Sequence, residues 1–367
     1  MNDNKNANQK LLSQILELDK LNPVQGTKEW IDYRLGIVGG SEMYDTINNP
    51  RKVIQNKLFT EDYKPSIITN NKSSILNNTI NIVTGKIFEK MGRYLLEFIY
   101  KTKIYELGIN KSQNAKNKGY SADGLMLYDD NFVLIEIKTI CTRKIIHGEV
   151  YELYLPQILS GLSDFDYINY GIYIECKYKI CTLNNLLNPQ YPLYNNYKSG
   201  MLLYINKKSI CKTQYTKKIV DEIIVKIDQT GNQQSSEFCN LLIDINNKLI
   251  IYKTFKIGIS DQNIIQYINK ENTNPNYIGM IPFYYDDYNI VKVDKIKDYS
   301  KQYESRFEYI IQKKNECIKF EIIDEIDMHD YLDRREFGDL KDILFESITK
   351  EMFEKNRFIN TSVFYND

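Results

Sequence analysis

Residues 120–140 read YSADGLMLYDDNFVLIEIKTI and contain two apolar segments on either side of Asp129-Asp130-Asn131. Asp and Asn are common in tight turns, because their short side chains tolerate left-handed backbone and bond locally. The pattern predicts a hairpin with strands over 120–128 and 132–140. The second strand is so apolar that we expect it in the centre of a β-sheet.

Three charged residues interrupt this apolar hairpin: Asp123, Glu136 and Lys138. Side chains alternate along a strand, so Glu136 and Lys138 should share one face, and Ile135 and Ile137 should point into the core on the other. If the turn residues are the two aspartates, simple pairing sets Asp123 opposite Glu136. We therefore expect two carboxylates and one ammonium to be close neighbours.

This charged trio suits metal-assisted hydrolysis of phosphodiester bonds. Two adjacent carboxylates repel each other unless a cation lies between them. A divalent ion there would polarise a phosphoryl oxygen and lower the pKa of its bound water, and Lys138 could neutralise phosphate charge or orient the water. The alternative is an ordinary solvated strand face. The apolar residues over 133–137 argue against it, because unpaired buried charge is costly.

Composition narrows the kind of metal and the class of protein. The 367 residues include 48 Lys+Arg and 48 Asp+Glu, which excludes a globally basic nucleic-acid binder but not a local basic groove. There are two histidines, His147 and His329, and six scattered cysteines without a C-x-x-C pair. A histidine-cluster site is excluded and an iron–sulfur cluster is not expected, so a metal here would be a hard cation such as Mg²⁺ or Mn²⁺.

The chain shows no signal for a membrane or for secretion. No apolar run is long enough to span a bilayer, and residues 1–10 are polar. We therefore expect a protein of the cytoplasm.

Periodicity and turn signals divide the chain into five regions. Within them we expect a long helix over 80–101 after a loop over 70–78, a helix from Pro156, and two strands over 167–174 and 178–183. The five regions are a polar lead with a helix (1–21), a main α/β region (22–183), an inserted β-rich and partly basic region (184–278), a returning strand and helix (279–312), and an acidic helical extension (313–367).

Six short segments, taken in order, resemble the PD-(D/E)XK nucleases, and among these the lambda-exonuclease-like, YqaJ-type viral recombinases. The series spans about residues 24–183, and residues 281–311 resemble the last strand and closing helix of that family. Ala122 stands where family members often have proline. The segments are Gly26-Thr27-x-Glu29-Trp30-x-x-x-Arg34-Leu35-Gly36, Gly39-Gly40-Ser41-Glu42, Gly85-Lys86-x-x-Glu89-x-x-x-Arg93, Ser121-Ala122-Asp123-Gly124-Leu125, Ile135-Glu136-Ile137-Lys138 and Gln157.

The resemblance implies a restriction-endonuclease-like α/β core, in which helices flank a central mixed β-sheet. It also implies roles for the matching residues. Asp123 and Glu136 would be metal ligands, the main-chain carbonyl of Ile137 would add a third oxygen, and Glu89 would serve a second metal. Lys138 would position or activate the attacking water. In addition, Gln157 would lie near the metal or the scissile phosphate, and Arg34 and Ser41 would contact a DNA phosphate.

The implied roles of four residues each have a competing local explanation; the four are Ser41, Glu89, Arg34 and Gln157. Ser41 is also a good N-cap for a helix over 42–47, and a helix start suits an anion regardless of family because free N–H groups point at it. Glu89 has the i,i+4 spacing for an ion pair with Arg93, and Arg34 has the spacing for a pair with Glu29 or Asp32. A capping or solvent-exposed role competes for Gln157.

The function implied by the resemblance is a Mg²⁺- or Mn²⁺-dependent DNA exonuclease. It would resect duplex ends 5′ to 3′ for recombination or repair, in a large DNA virus that replicates in host cytoplasm or a viral factory. An endonuclease or flap nuclease of the same fold is the nearest alternative, and a non-catalytic DNA-binding scaffold is the next. Expected partners are double-stranded DNA with free ends and a single-strand annealing protein or helicase. Self-association stays open, and the lysine-rich run over 207–218 is a further candidate DNA contact.

Overall fold

A seven-stranded mixed β-sheet forms the centre of the protein. The computed structural model describes residues 2–23, 27–58, 72–140, 143–188, 197–209 and 213–319. In chain order, the strands in these ranges are β1 (Ile104–Tyr105), β2 (Ile109–Lys111), β3 (Gly119–Ser121), β4 (Gly124–Tyr128), β5 (Asn131–Thr139), β6 (Tyr170–Ile180), β7 (Lys198–Ile205), β8 (Ile250–Phe255) and β9 (Tyr277–Asp294). The sheet order is β1-β4-β5-β6-β9-β7-β8, while β2 and β3 form a separate pair. Within the sheet β5 and β6 are parallel and the other neighbours are antiparallel.

Helices cover both faces of this sheet, which confirms the predicted architecture. They are α1 (Asn2–Asp19), α2 (Lys28–Leu35), α3 (Met43–Asn48), α4 (Pro50–Leu58), α5 (Lys72–Tyr100), α6 (Leu155–Asp164), α7 (Leu183–Leu187), α8 (Lys217–Thr230), α9 (Ser236–Asn246), α10 (Asp261–Glu271) and α11 (Glu304–Lys319). Within the described part of the chain, no helix has both the length and the apolar character that crossing a bilayer requires.

The β4–β5 hairpin has the predicted turn and register. Tyr128 pairs with Asn131 across a two-residue turn, and both turn residues, Asp129 and Asp130, have positive φ angles of 47° and 59°. Two successive left-handed residues match the right-handed twist of the flanking strands. The same register pairs Gly124 with Ile135. The first strand is shorter than predicted, because the chain leaves the ladder between β3 and β4.

The long helix α5 packs against one face of the sheet. Its buried apolar side chains lie in one cluster with Ile135 and Ile137 of β5. Gly92 permits the close approach, since a Cβ at this position would lie 2.6 Å from the Cγ2 atom of Ile137. One turn earlier on the helix, Glu89 lines the same cavity as Asp123.

Helix α6 packs against the opposite face. Leu134 of β5 and Tyr173 of β6 share an apolar cluster with Ile158 of α6 and Phe307 of α11. Because side chains alternate along β5, Glu136 faces α6 as Leu134 does. The hairpin therefore presents its carboxylate to α6 and its isoleucines to α5.

The region 184–278 differs from the prediction in two ways. Its strands β7 and β8 continue the central sheet beyond β9, and helices α8, α9 and α10 hold more residues than these strands, so the region is not β-rich. Isoleucine and valine favour strands by propensity, but their spacing in α8 is helical and decides the outcome. The buried side chains of α8 are Val220, Ile223, Ile224 and Ile227.

Other element boundaries also differ from the sequence prediction. Helix α5 begins at Lys72, inside the predicted loop, and the two strands predicted over 167–183 are one strand, β6. The pairing of β6 with β9 shifts in register between Lys177 and Tyr178, which is the end of the gap between the two predicted strands. Helix α11 continues to Lys319. The rest of the predicted acidic extension lies outside the described residues, as does Gly26.

Candidate active site

Asp123 lies where the chain passes from β3 to β4, at the open end of the hairpin. Its Oδ2 accepts a hydrogen bond of 2.7 Å from the main-chain N–H of Ile137 on β5. The ladder ends one pair earlier, so this side-chain bond continues the hairpin's connection past the last backbone pair. Asp123 is thereby held against the residue that follows Glu136, as the hairpin register predicts.

Glu136 is completely buried, and three side chains compensate its charge. The Tyr120 hydroxyl donates to Oε2 at 2.5 Å, while the Lys138 ammonium and the Gln157 amide both donate to Oε1. A buried carboxylate without such donors would be strongly destabilising. Gln157 is therefore a direct partner of the central carboxylate and is buried itself, which rules out the solvent-exposed role.

Lys138 carries a stable positive charge beside these carboxylates. Burial lowers the pKa of its ammonium, but attraction to Glu136 and Asp123 outweighs burial, so the pKa lies above its usual value. The Nζ atom also lies 5.0 Å from the centre of the Tyr154 ring, a cation–π distance. In this arrangement Lys138 stays protonated at neutral pH and acts as a fixed cation.

In Asp123 and Glu89 the environment disfavours the charged form of the side chain, whereas in Lys138 it favours it. Burial raises the pKa of Asp123, and the charges of Glu136 and Glu89 raise it further. Burial also raises the pKa of Glu89, although Arg93 and Lys138 oppose the change. Three carboxylates thus lie within electrostatic reach of one another, and their repulsion is the physical condition that a bound cation would relieve.

Glu89 and Arg93 also form the local pair that the helix spacing allows. The Arg93 Nη2 atom lies 3.7 Å from the Glu89 Oε1 atom, and Arg93 makes a second ion pair with Glu106. The pair and the position beside Asp123 are therefore compatible. A cavity of about 310 Å³ borders Glu89, Arg93 and Asp123, with the end of α1 at Asp19 as another part of its wall.

The donor chemistry fits a hard divalent cation, although the ligand set is not assembled. Asp123, Glu136 and Glu89 offer carboxylate oxygens, which Mg²⁺ and Mn²⁺ prefer. Within the described residues, no group of three or more His, Cys, Asp or Glu side chains is placed to hold a metal. In Glu136, three hydrogen bonds already use the oxygens. The metal ligands, including the Ile137 carbonyl, remain predictions.

Tyr120 connects this site to the preceding loop. Its fully buried ring lies between Gly40 and Gly161 of α6, because Cβ atoms at these two positions would lie 2.4 Å and 2.5 Å from ring carbons. The two glycines therefore leave the space that the ring needs. This packing holds the Tyr120 hydroxyl at Glu136.

Replacing Gly161 with alanine is expected to lower the free energy of unfolding by about 1–3 kcal/mol, because the added methyl would displace the Tyr120 ring. Helix propensity alone predicts the reverse, a gain of about 1 kcal/mol. Gly85→Ala in α5 is a matched control, since nothing lies within 4 Å of its added Cβ. Urea unfolding of both variants measures the difference, and an equal gain in both would contradict the packing argument.

The structure brings Arg34 and Ser41 together, while their shared role at a DNA phosphate stays a prediction. The Arg34 Nη2 atom donates to the Ser41 Oγ atom at 3.1 Å, and the guanidinium lies 4.8 Å from the centre of the Trp30 ring. Ser41 is not the N-cap of the following helix, which is a correction. It lies inside a 3₁₀ turn over Gly40–Glu42, and α3 begins only at Met43. The pair adjoins Gly40 and hence Tyr120.

A buried lysine that sequence reasoning did not identify supports this loop. The Lys57 side chain donates to the carbonyls of Arg34 (3.0 Å) and Ile37 (2.6 Å) and to both oxygens of Glu42. Glu42 also accepts from the N–H of Gly39 at 2.6 Å. Burial lowers the pKa of Lys57, against the attraction of Glu42. The loop before Ser41 is thus fixed by one ion pair, in which the lysine is buried.

Replacing Lys57 with methionine is expected to destabilise the protein by about 3 kcal/mol, because the Glu42 charge and two carbonyls lose their donor. The double variant Lys57→Met/Glu42→Gln should recover part of the loss, since no charge is then left unpaired. Urea unfolding of the two single variants and the double variant gives the coupling energy. If the double variant lost as much free energy of unfolding as the two single variants together, the two residues would not act as a stabilising pair.

A second ion pair lies on the same sheet face, beside Lys138. Residue Glu175 of β6 pairs with Lys138 in the parallel ladder and forms a bidentate ion pair with Arg143. The Arg143 guanidinium lies 4.0 Å from the centre of the Tyr151 ring. Sequence reasoning missed this pair, although Glu175 interrupts an apolar strand as Glu136 does.

Comparison with known proteins gives distant similarities. No protein-family profile matches the sequence. A protein of African swine fever virus is 28% identical over 204 residues in isolate Tick/Malawi/Lil 20-1/1983, and its counterpart in strain Badajoz 1971 Vero-adapted is 27% identical over 203 residues. Each match covers 47% of this chain, and the chain spans about half (55%) of the length of these relatives.

Comparison with solved structures gives a weak similarity to an alkaline exonuclease (LHK-Exo) from Laribacter hongkongensis. The TM-score is 0.32 at 13% identity, over 79% of this chain and 100% of the other. The same enzyme in complex with dAMP gives 0.31. Scores of this size are too low to assign a fold or an activity.

Proposed function

We propose that this protein is a metal-dependent nuclease that hydrolyses the phosphodiester bonds of DNA, and that it acts as an exonuclease on duplex ends. The observation that supports the proposal is the meeting of Asp123, Glu136 and Lys138 at the open end of one hairpin. Repelling carboxylates and a fixed ammonium are the groups that binding a dication and a phosphate requires. The sequence resemblance to PD-(D/E)XK nucleases names the same three residues.

In the proposed mechanism, Asp123, Glu136 and the Ile137 carbonyl would hold Mg²⁺ or Mn²⁺, and Glu89 would serve a second ion. When bound, the metal would supply Lewis-acid activation of the phosphate and a water of lowered pKa. Lys138 orients the attacking water and neutralises charge on the phosphate. Gln157 and Tyr120 hold the Glu136 carboxylate in place through the bonds they donate to it.

Arg34 and Ser41 are proposed to bind a neighbouring DNA phosphate. The guanidinium can donate to two phosphate oxygens at once, and the hydroxyl beside it adds a third donor. Their connection to the site through Gly40 and Tyr120 supports the proposal, because it would hold a bound phosphate at a constant distance from Glu136. The Lys57–Glu42 pair holds the loop in the required shape.

Digestion of linear duplex DNA labelled at the 5′ or the 3′ end distinguishes the proposed exonuclease activity from an endonuclease activity and from a non-catalytic scaffold. We expect cleavage with Mg²⁺ or Mn²⁺, none with EDTA, and early release of the 5′ label. Closed circular DNA separates the exonuclease, which should leave it intact, from an endonuclease. Binding of DNA without metal-dependent cleavage would support a scaffold instead and would end the proposal.

Replacing Lys138 with methionine is expected to reduce DNA hydrolysis by about 10²-fold, because the fixed positive charge near the phosphate is lost. Lys138→Arg should retain more activity, since it keeps the charge but not the position. Single-turnover rates at saturating enzyme separate this effect from weaker binding. If the methionine variant reacted at the wild-type rate, Lys138 would have no part in catalysis.

The biological setting is also part of the proposal. Similarity to a protein of African swine fever virus supports a viral origin, which agrees with action in host cytoplasm or a viral factory. Duplex DNA with free ends would be the substrate. Resection exposes single strands, so a single-strand annealing protein or a helicase would be a suitable partner.

A further inference from the structure

One face of α5 carries a row of lysines beside the candidate active site. Lys86, Lys90 and Tyr94 recur at intervals of four residues and therefore lie on one side of the helix, and Lys101 directly follows its last residue, Tyr100. The three lysines are exposed. Glu89, which lines the active-site cavity, belongs to the same helix.

The region 184–278 adds a fourth lysine to this row. Lys256 follows β8, and its Nζ atom lies 5.8 Å from the centre of the Tyr94 ring, which Lys90 approaches from 5.9 Å. Two cations therefore share one aromatic ring. Lys101 lies 3.8 Å from the centre of the Phe98 ring on the same side.

Gly258 lies in the loop that follows β8 and explains why this loop can approach α5. Its φ angle is +80°, and a Cβ there would lie 2.5 Å from the Phe98 ring. Only glycine combines that backbone angle with so close an approach. The nearby acid Glu97 already accepts a hydrogen bond of 3.1 Å from the Ile104 N–H and lies 3.9 Å from Lys256.

The row is continuous with the candidate active site. Lys86 lies three residues before Glu89 on α5, so one end of the row borders the carboxylate that lines the active-site cavity. From Lys86 to the helix end at Tyr100 α5 advances about 21 Å, which corresponds to about six phosphates along one strand of B-DNA.

We propose that Lys86, Lys90, Tyr94, Lys101 and Lys256 form a DNA-backbone track that guides a strand to or from the candidate active site. This inference rests on the proposed nuclease function and gives region 184–278 a part in substrate binding. Exposed ammonium groups bind phosphates and release counterions. The protein has no net charge, so a local row of cations stands out.

The lysine-rich run over 207–218 is less suited to this role. The Lys217 ammonium donates to the side chain of Asn272 at 2.8 Å, and Lys218 lies 3.9 Å from Glu222. Asp221 and Glu222 border the same surface, so the charges there alternate in sign. Lys217 and Lys218 therefore provide a matched control pair.

The experiment compares Lys90→Ala/Lys256→Ala with Lys217→Ala/Lys218→Ala. Fluorescence anisotropy with a labelled duplex, in EDTA and at several salt concentrations, measures binding without cleavage. For the first variant we expect affinity to fall about tenfold, and the slope of log K against log salt to lessen by about 1.8, as two lost phosphate contacts require. The control should bind as wild type does.

Hydrolysis of bis(p-nitrophenyl) phosphate with Mn²⁺ separates the track from the catalytic groups, because this small diester is too short to reach it. Lys90→Ala/Lys256→Ala should retain the wild-type rate. Unchanged DNA binding in this variant, or an equal loss in the control, would overturn the track. The wild-type protein could also show no metal-dependent cleavage while its DNA binding still depends on Lys90 and Lys256. That result would support the track and reject the nuclease proposal.

Discussion

Replacing Glu136 with glutamine is expected to reduce metal-dependent DNA hydrolysis by about 10³-fold or more while the protein stays folded. Glu136 is the central acceptor of the site, with Tyr120, Lys138 and Gln157 as its donors. Glutamine keeps the volume and one acceptor oxygen but loses the charge. The Lys138 ammonium then loses the counter-ion to which it donates, and a dication would lose one of its proposed ligands.

The measurement is a single-turnover digestion of end-labelled linear duplex with Mn²⁺, together with circular dichroism and urea unfolding. Glu152→Gln is the matched control, because it makes the same chemical change at an exposed position before α6. Its activity should equal that of wild type. More than a tenth of wild-type activity in a folded Glu136→Gln protein would mean that this carboxylate is not needed for hydrolysis.

The part of the site that the sequence predicted lies on one local unit. Asp123, Glu136 and Lys138 belong to a single hairpin whose turn, Asp129-Asp130, sets the register. A two-residue turn leaves little freedom, and a shift by one residue would send Glu136 to the isoleucine face. Local chemistry therefore decided the relation of these three side chains.

What sequence reasoning missed depends on contacts between distant segments. Lys57 and Glu42 lie on different elements, and nothing in their spacing predicts that they form an ion pair. The pairing of Glu175 with Arg143 likewise depends on where the 143–154 segment crosses the sheet, which Asn289 fixes by accepting from Gly148 and donating to the carbonyls of Ile146 and Glu149. Such contacts follow from tertiary structure, which periodicity alone does not reveal.

The helices of region 184–278 were missed for a different reason. The signal was present: apolar residues of α8 recur at helical intervals, and Thr216 and Gly231 are suitable caps at its two ends. The abundance of isoleucine concealed it, because β-branched residues favour strands by propensity. Spacing was the better guide here because α8 packs one apolar side against the sheet.

Replacing Asp123 with asparagine is expected to reduce DNA hydrolysis by about 10³-fold or more and, at the same time, to stabilise the metal-free protein. The pKa of Asp123 is raised in the folded protein by burial and by Glu136 and Glu89. The folded state then binds more protons than the unfolded state at any pH between the ordinary and the raised pKa. The ionised carboxylate therefore destabilises the fold, increasingly as pH rises through this window.

Asparagine removes that charge and keeps an oxygen that can accept from the Ile137 N–H. We expect a gain of about 1 kcal/mol in the free energy of unfolding at pH 8 in EDTA, shrinking as the pH falls towards the ordinary pKa of about 4 and lost below it, where the carboxyl is protonated in both states. Urea unfolding at several pH values measures this gain. Asp294→Asn, at an exposed position of β9, is the control and should show no such dependence.

Metal binding should make the wild-type protein more stable than Asp123→Asn, the reverse of the order expected without metal. In wild type, Mn²⁺ would bind the ionised carboxylates and relieve their repulsion, so it should raise the unfolding temperature and bind more tightly as the pH rises. Asp123→Asn should show little response to the ion. A variant that is less stable than wild type at pH 8 without metal, or that still gains stability from Mn²⁺, would show that Asp123 is a structural residue and not a ligand under electrostatic strain.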